Sequence, residues 1–365
     1  MKAPSPVVYY ITSHGFGHGA RSCDILRAVR EADAEVPLIV VSDLPAPFLE
    51  ARLGGLRCAF RRARFDVGMV QIDSVRVDVP ATLAACVEWL RRADAVLAEE
   101  RRFLRESGAA AVVCDIPSIP LEAAALEGIP ALAAGNFGWD WIYEEFVSRD
   151  PAWAEIVARF RRGYSLSSLL MRMPFAEPMA AFPRRVEIGV TARPGTPRRR
   201  ELASLTGADP SKRWVLLSFA ELAWEEAALR AVSRLVDWEF FTVLPLRWDG
   251  PNFRAVDRRA VSYADVLASC DAVLTKPGFG VLSDCAVNGK PIIYVERTDF
   301  REYPILEAAV RQYYRSVHLP AEQLYRGDLR SALEAIETAP EPVARVATGG
   351  DRAAAEIILK TAGQG

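Results

Sequence analysis

The sequence predicts an α/β protein built from two doubly wound, parallel-sheet domains, and three observations predict it. Residues 7–12 (VVYYIT) form an apolar run that enters a glycine-rich loop, His14-Gly15-Phe16-Gly17-His18-Gly19, and a helical pattern opens at Arg21 with Ile25, Leu26 and Val29 on one face. Strand and helix patterns then alternate through the first half, as a parallel sheet with crossover helices requires. A second alternating series begins beyond a stretch rich in proline and arginine.

In chain order, residues 38–41 (LIVV) form the second strand, residues 81–104 a long helical pattern, and residues 111–115 (AVVCD) another strand. A helix over residues 121–127 is stopped by Gly128-Ile129-Pro130 ahead of a strand at 131–134. Between Met173 and Arg200 the periodicity lapses among Pro174, Pro178, Pro183, Pro194 and Pro197, which marks a linker. The second series has strands at 214–219, 240–244, 271–275 and 291–295, with a helix at 281–287. A last helical segment follows Gly349-Gly350 and is placed to return to the first domain. The expected division is residues 1–180, a linker at 181–200 and residues 201–348, with a helix at 351–362 packing back on the first part.

A chain of 365 residues is comfortable for two domains with separate cores. Half of it is hydrophobic (51%) and its net charge is -2, with a pI near 6.1. The basic footprint of a nucleic-acid binder is missing. The six cysteines (Cys23, Cys58, Cys86, Cys114, Cys270, Cys285) show no metal-ligand spacing and read as buried hydrophobes in a reducing compartment. With no signal-peptide pattern at the start and no apolar run of bilayer length, the expectation is a soluble, cytoplasmic protein. Nothing in the sequence fixes an oligomeric state.

Chemistry is expected first at the histidine loop, because polar groups following a strand of a parallel sheet lie at its carboxyl edge, where open α/β folds bind ligands. Two of the three histidines stand there, and imidazole exchanges protons near neutrality. Gly15 and Gly17 shape this loop and Arg21 follows it. Asp115, ending one strand, and Asn136, Trp139 and Asp140, following another, would face the loop if their strands are neighbours. Trp139 is open between core and site, whereas Trp141 and Tyr143 are expected in the core. In the second half, Lys276-Pro277-Gly278-Phe279-Gly280 follows a strand and opens a helix, so its backbone N–H groups suit a phosphate. Lys276 adds charge there, and Ser283 or Asp284 lies within reach of a ribose or phosphate. Arg297 to Pro304 follow the next strand on the same edge. There is no DxD, GxSxG or HExxH, so no metal site is expected.

These residues resemble, in order and over nearly the whole chain, the glycosyltransferase-like N-terminal region of plant-type L-arabinokinases. The matching segments are residues 9–21, 66–73 with Val77 and Asp78, 114–117, 136–143, 276–284, 297–306 and 349–361. The second half is more distantly similar to MurG-type glycosyltransferases. The resemblance implies a GT-B architecture, two Rossmann-like domains facing a central cleft, with no cofactor beyond a nucleotide-sugar co-substrate, expected to be a UDP-sugar. It implies that Gly278 and Gly280 border the donor phosphates, that Asp284 contacts ribose, and that Arg297, Asp299 and Glu302 lie near the sugar. Ser218 and Phe279 complete the donor side. His18 becomes the general base, with His14 orienting loop or substrate.

Three departures qualify the likeness. The sequence stops at Gly365 without a sugar-kinase region, so kinase chemistry is not carried over. Ala220-Glu221 replaces an expected glycine pair, and Asp284 stands where glutamate is usual. The leading expectation is a metal-independent glycosyltransferase acting on an acceptor hydroxyl; the alternatives are a non-catalytic nucleotide-sugar-binding module and a nucleotide-sugar epimerase.

Overall fold

A computed structural model of the chain describes residues 5–71, 77–297 and 301–363. It contains two compact units, the first made of the segments up to Val70, Val77–Ala192 and Ala347 onward, the second chiefly of Arg193–Val346.

The first unit runs β1 (Val7–Ile11), α1 (Phe16–Ala32), β2 (Leu38–Val41), α2 (Ala46–Leu53), β3 (Ala59–Arg61), α3 (Val79–Ser107), β4 (Ala111–Asp115), α4 (Ser118–Leu126), β5 (Ala131–Gly135), α5 (Trp139–Glu144), α6 (Ala152–Ser165), β6 (Leu169–Arg172) and β7 (Arg185–Glu187). Its seven strands form one sheet in the order β3-β2-β1-β4-β5-β6-β7, and every pairing is parallel. The central strands β1, β4 and β5 are buried at every position, which is why they read as continuous apolar runs rather than alternations. Strand order reverses between β1 and β4. The crevice beyond their carboxyl ends is therefore the topological switch point, where ligands bind in such sheets. Register sets Ile11 beside Asp115.

Two helix starts show how local residues set these elements. Asp78 caps α3, its side chain accepting a hydrogen bond from the Ala81 N–H at 2.9 Å. At α1 the structure corrects the sequence reading, because the helix begins at Phe16 rather than Arg21. Gly15 turns the chain at a φ of 87°, and Gly19, inside the helix, lies against Leu44 and Phe48, where a Cβ would fall 2.5 Å from the Phe48 ring. His18 and Arg21 thus stand one turn apart on a helix, not on a loop. A second correction concerns the expected linker at 181–200: β7 lies inside it and pairs with β6, Leu170 beside Arg185.

The second unit runs α7 (Arg199–Thr206), β8 (Arg213–Ser218), α8 (Glu226–Ser233), β9 (Trp238–Val243), β10 (Phe253–Val256), α9 (Tyr263–Ser269), β11 (Ala272–Thr275), α10 (Phe279–Asn288), β12 (Ile292–Tyr294), α11 (Tyr303–Tyr313), β13 (Ser316–His318), α12 (Ala321–Arg326) and α13 (Arg330–Thr338). Its sheet is also parallel, in the order β10-β9-β8-β11-β12-β13, with the reversal between β8 and β11. The final helix, α14 (Gly350–Thr361), belongs to the first unit. Its Ala354, Ala355, Ile358 and Leu359 join the core formed by Val7, Tyr9, Ile25, Leu26, Val29 and Leu38. The second core gathers Val215, Leu217, Phe240, Leu274, Ile293 and Leu333. No helix among the described residues is long and apolar enough to cross a membrane.

Candidate functional site

In the first unit the switch point holds a buried polar cluster. The His18 Nδ1 lies 2.8 Å from Asp115 Oδ1. Arg21 grips the same carboxylate with both arms of its guanidinium, Nε to Oδ2 and Nη2 to Oδ1, each at 2.6 Å, and Ser22 Oγ donates to Oδ2 at 3.0 Å. The remaining Arg21 nitrogen, Nη1, donates to Asn136 Oδ1. Three segments separated in sequence, α1, β4 and the residue after β5, converge because β1, β4 and β5 are adjacent.

Asp115 is 0% exposed. Burial alone would raise its carboxyl pKa, but the charges and hydrogen bonds of Arg21 and His18 overcome that and hold it below the ordinary carboxylate range. An ionised carboxylate only accepts hydrogen bonds, so His18 Nδ1 carries the proton that faces Asp115. In the neutral ring the lone pair is then on Nε2, which has no hydrogen-bond partner among the described residues, and the side chain keeps 10% of its surface exposed. The arrangement presents a basic nitrogen at the sheet edge with its tautomer fixed from behind. Arg21 Nη2 also lies 3.0 Å from His18 Nδ1. Both groups being donors toward the carboxylate, we read this as two donors sharing Asp115 Oδ1.

Around this cluster stands an aromatic wall with a second buried carboxylate. Rings of Phe137 and Trp139 meet His18 and His14 edge-on, at 5.5 Å and 5.1 Å between centroids. Trp139 Nε1 donates to Asp66 Oδ2 at 3.0 Å, and Thr12 Oγ1 donates to Asp66 Oδ1 at 2.8 Å. Burial raises the Asp66 pKa, and those two hydrogen bonds pull it back. Gly68, at a φ of 74°, lets His14 lie directly on the backbone, where a Cβ would fall 2.2 Å from its Nδ1. Trp139 is therefore core and site wall at once. Tyr143 is buried as expected, while Trp141 is only half-buried. Cys58 likewise departs from expectation as half-buried, the other five cysteines being buried.

Not every expected residue joins the cluster. Asp140 turns to Arg161 Nε at 3.2 Å. Asp66, Ser22 and Thr12 were missed as site residues. The available signal for Asp66 was its place in the segment 66–73; Ser22 needed the α1 start to be read correctly.

In the second unit the corresponding edge carries the expected donor-side residues. Ser218 ends β8, and its hydroxyl pairs with Tyr263 at 2.8 Å. Lys276 and Gly278 lead into α10, where Phe279, Gly280, Ser283 and Asp284 occupy the first two turns. Ser283 Oγ is spent on its own helix, donating to the Phe279 carbonyl at 2.8 Å. No side chain caps α10 and its first turn has no acidic residue. Gly278 is informative: its φ of -158° is open to any residue, and a Cβ there would meet nothing nearer than Val281 at 4.0 Å. Neither conformation nor packing calls for glycine. Gly17, in the first turn of α1, is the same case, with nothing within 4 Å of its missing Cβ. Beyond β12, burial pushes the Arg297 guanidinium down to about 10, Glu302 opposing. Asp299 lies outside the described residues. Among the described residues, no group of three or more His, Cys, Asp or Glu is placed to hold a metal ion.

Comparison with known proteins defines the class of fold. The chain superimposes on a glycosyltransferase of kitacinnamycin with a TM-score of 0.62, at 15% identity, over 98% of this chain and 99% of that one. For a calicheamicin glycosyltransferase the TM-score is 0.59 at 15% identity, over 99% and 94%. For a UDP-glucosyltransferase from Polygonum tinctorium it is 0.60 at 13% identity, over 100% of both chains. The architecture is GT-B, two Rossmann-like units of parallel sheet flanked by helices. No family model matches the chain. In sequence it is similar to L-arabinokinase of Arabidopsis thaliana, 29% identical over 366 residues and 97% of this chain. It spans about a third (34%) of that protein's length.

Proposed function

We propose that the protein transfers a sugar from a nucleotide-sugar donor, a UDP-sugar by preference, to an acceptor hydroxyl without a metal ion. His18 Nε2 takes the hydroxyl proton while the acceptor oxygen bonds to the anomeric carbon and the bond from that carbon to the diphosphate breaks. The observation that carries this reading is the His18–Asp115 pair at 2.8 Å, its carboxylate buried and kept ionised. A base so placed suits a nucleophile too weakly acidic to react unaided.

Support for a donor in the second unit comes from α10. Its uncapped N-terminus offers N–H groups to a diphosphate, and the missing side chain at Gly278 leaves the approach open. Lys276 and Arg297 supply positive charge, and Asp284 is the candidate ribose contact.

One observation favours a second reading, a nucleotide-sugar-binding module without turnover: Ala220-Glu221 stands after β8 where glycines would let a phosphate approach. A thermal-shift screen of nucleotide sugars identifies the donor, because a ligand that binds only the native state raises its melting temperature. Release of free nucleotide that requires an acceptor then supports transfer. Binding without release supports the module, and an intact but isomerised nucleotide sugar makes the protein an epimerase.

A further inference from the structure

The cluster behind His18 ends on a loop held in an unusual shape. Asn136 is tied at both ends of its amide, Oδ1 accepting from Arg21 and Nδ2 donating to the Pro174 carbonyl at 2.5 Å. The guanidinium that fixes Asp115 is thus oriented, through Asn136, by the loop between β6 and β7. That loop carries two non-glycine residues at positive φ, Phe175 at 64° and Met179 at 50°. Side chains rarely adopt such conformations, which persist where the surroundings over-determine them.

Glu177 lies between the two and is only 3% exposed. Its Oε1 accepts from the Gly138 N–H at 3.3 Å, and its Oε2 accepts from the Met179 N–H. Its own N–H donates to the Asn136 carbonyl at 3.0 Å. Arg172 Nη2 reaches the Glu177 carbonyl at 2.8 Å and Arg185 Nη1 the Pro178 carbonyl at 2.6 Å. The carboxylate therefore staples the segment after β5, which contains Asn136, to the strained loop after β6.

We propose that Glu177 is a positioning residue, whose buried carboxyl holds the strained loop against Asn136 and so keeps Arg21, Asp115 and His18 in register. The proposal rests on the reading of His18 as the base.

The electrostatics make this staple sensitive to pH. Burial pushes Glu177 up from 4.5 to about 7, and Asp140 of α5 pushes the same way; the Met179 and Gly138 N–H groups and Arg172 of β6 oppose them. Arg161 of α6 faces the pair through Asp140. With a folded value above the unfolded one, the stabilisation tied to the proton is complete below the unfolded value and is lost as pH rises through about 7. Ionisation here costs stability.

Hydrogen exchange of the intact protein between pH 6 and 8, corrected for intrinsic rates, tests the staple without any substrate. Protection of the Gly138 and Met179 amides is expected to fall about tenfold from pH 6 to pH 8, because the opened loop ionises freely while the closed loop holds its proton up to about 7. Glu177→Gln, which cannot ionise, should show no such change over this range. With substrates, kcat of the wild type should fall as pH rises through about 7, and Glu177→Gln should lack that inflection, with donor KM unchanged in both. Equal protection across the range, in wild type and variant alike, overturns the proposal. So does a Glu177→Gln pH profile identical to wild type in an enzyme whose turnover depends on His18. If the exchange result holds but His18→Ala turns over normally, the staple stands and the base assignment is what fails.

Discussion

The two units present the same topological feature, a strand-order reversal with a glycine-bearing segment running into a helix, yet finish it in opposite ways. In the first, the edge is furnished with side chains: His18, Arg21, Ser22, Asp115 and Asn136 are buried, and the bonds that fix them come from within the unit. In the second, residues 278–281 are half-buried, the helix start is uncapped and glycine stands where the fold does not require it. Proton transfer needs a donor or acceptor oriented before the substrate arrives, so its supporting groups must be satisfied internally. Holding a diphosphate needs backbone N–H groups left available. On the proposed reading, the contrast is a division of labour between a preorganised base and an open anion cradle.

The largest effect expected from breaking this contrast falls on the first unit. His18→Ala should keep the fold and near-native donor affinity but lose about a hundred- to ten-thousand-fold in turnover, the usual contribution of a positioned base. His14→Ala should be milder, since His14 packs on Gly68 and Trp139 and is not bonded to Asp115. Steady-state kinetics with the true acceptor decide it: wild-type turnover in His18→Ala would remove the base assignment.

How far this contrast is legible in the sequence follows from the same physics. The central strands announce themselves because burial on both faces demands apolar runs, as in residues 7–11 and 111–115. Short outer strands do not. β3 and β7 have three residues each with little burial, so β7 reads as linker. Asp115 and Asn136 were legible as strand-end polar groups, but their meeting with His18 and Arg21 depends on strand order, which no local pattern encodes. Glu177 has no such signal and Asp66 only its place in segment 66–73, because both lie on irregular segments whose placement is decided by tertiary hydrogen bonds to Trp139, Gly138 and Met179.

Next in size is a stability effect. Arg21→Leu leaves Asp115 as an uncompensated buried charge, which should cost about 3–5 kcal/mol. The sign with pH follows from the depressed Asp115 value: its contribution is present above the unfolded carboxylate range and is lost as pH falls toward the lower folded value. The gap in melting temperature between wild type and Arg21→Leu should therefore be full at neutral pH and narrow in acid. A gap independent of pH would mean that Arg21 stabilises by packing alone.

A smaller effect is expected in the second unit, and it leaves the fold untouched. Because a Cβ at position 278 enters open space, Gly278→Val should melt like wild type while weakening nucleoside diphosphate binding by roughly tenfold, a loss of about 1.4 kcal/mol. Gly280→Val, inside the first turn of α10, should act in the same direction. Calorimetric titration showing unchanged affinity in both folded variants would move the donor away from this helix and end the division of labour proposed above.

The smallest expected effect is none at all, and it concerns the leaving group. As the bond to the anomeric carbon breaks, negative charge accumulates on the diphosphate and must be met by something. The chain has no DxD to hold a bridging cation, whereas the α10 N-terminus offers aligned N–H dipoles and Lys276 and Arg297 offer charge. Arg297, though pushed down to about 10 by burial, stays cationic throughout the neutral range. Turnover in the presence of EDTA should therefore match the untreated rate. A loss that magnesium or manganese restores would show that a metal ion, and not the backbone of α10, stabilises the departing nucleotide, although the described residues gather no group of three or more ligands for one.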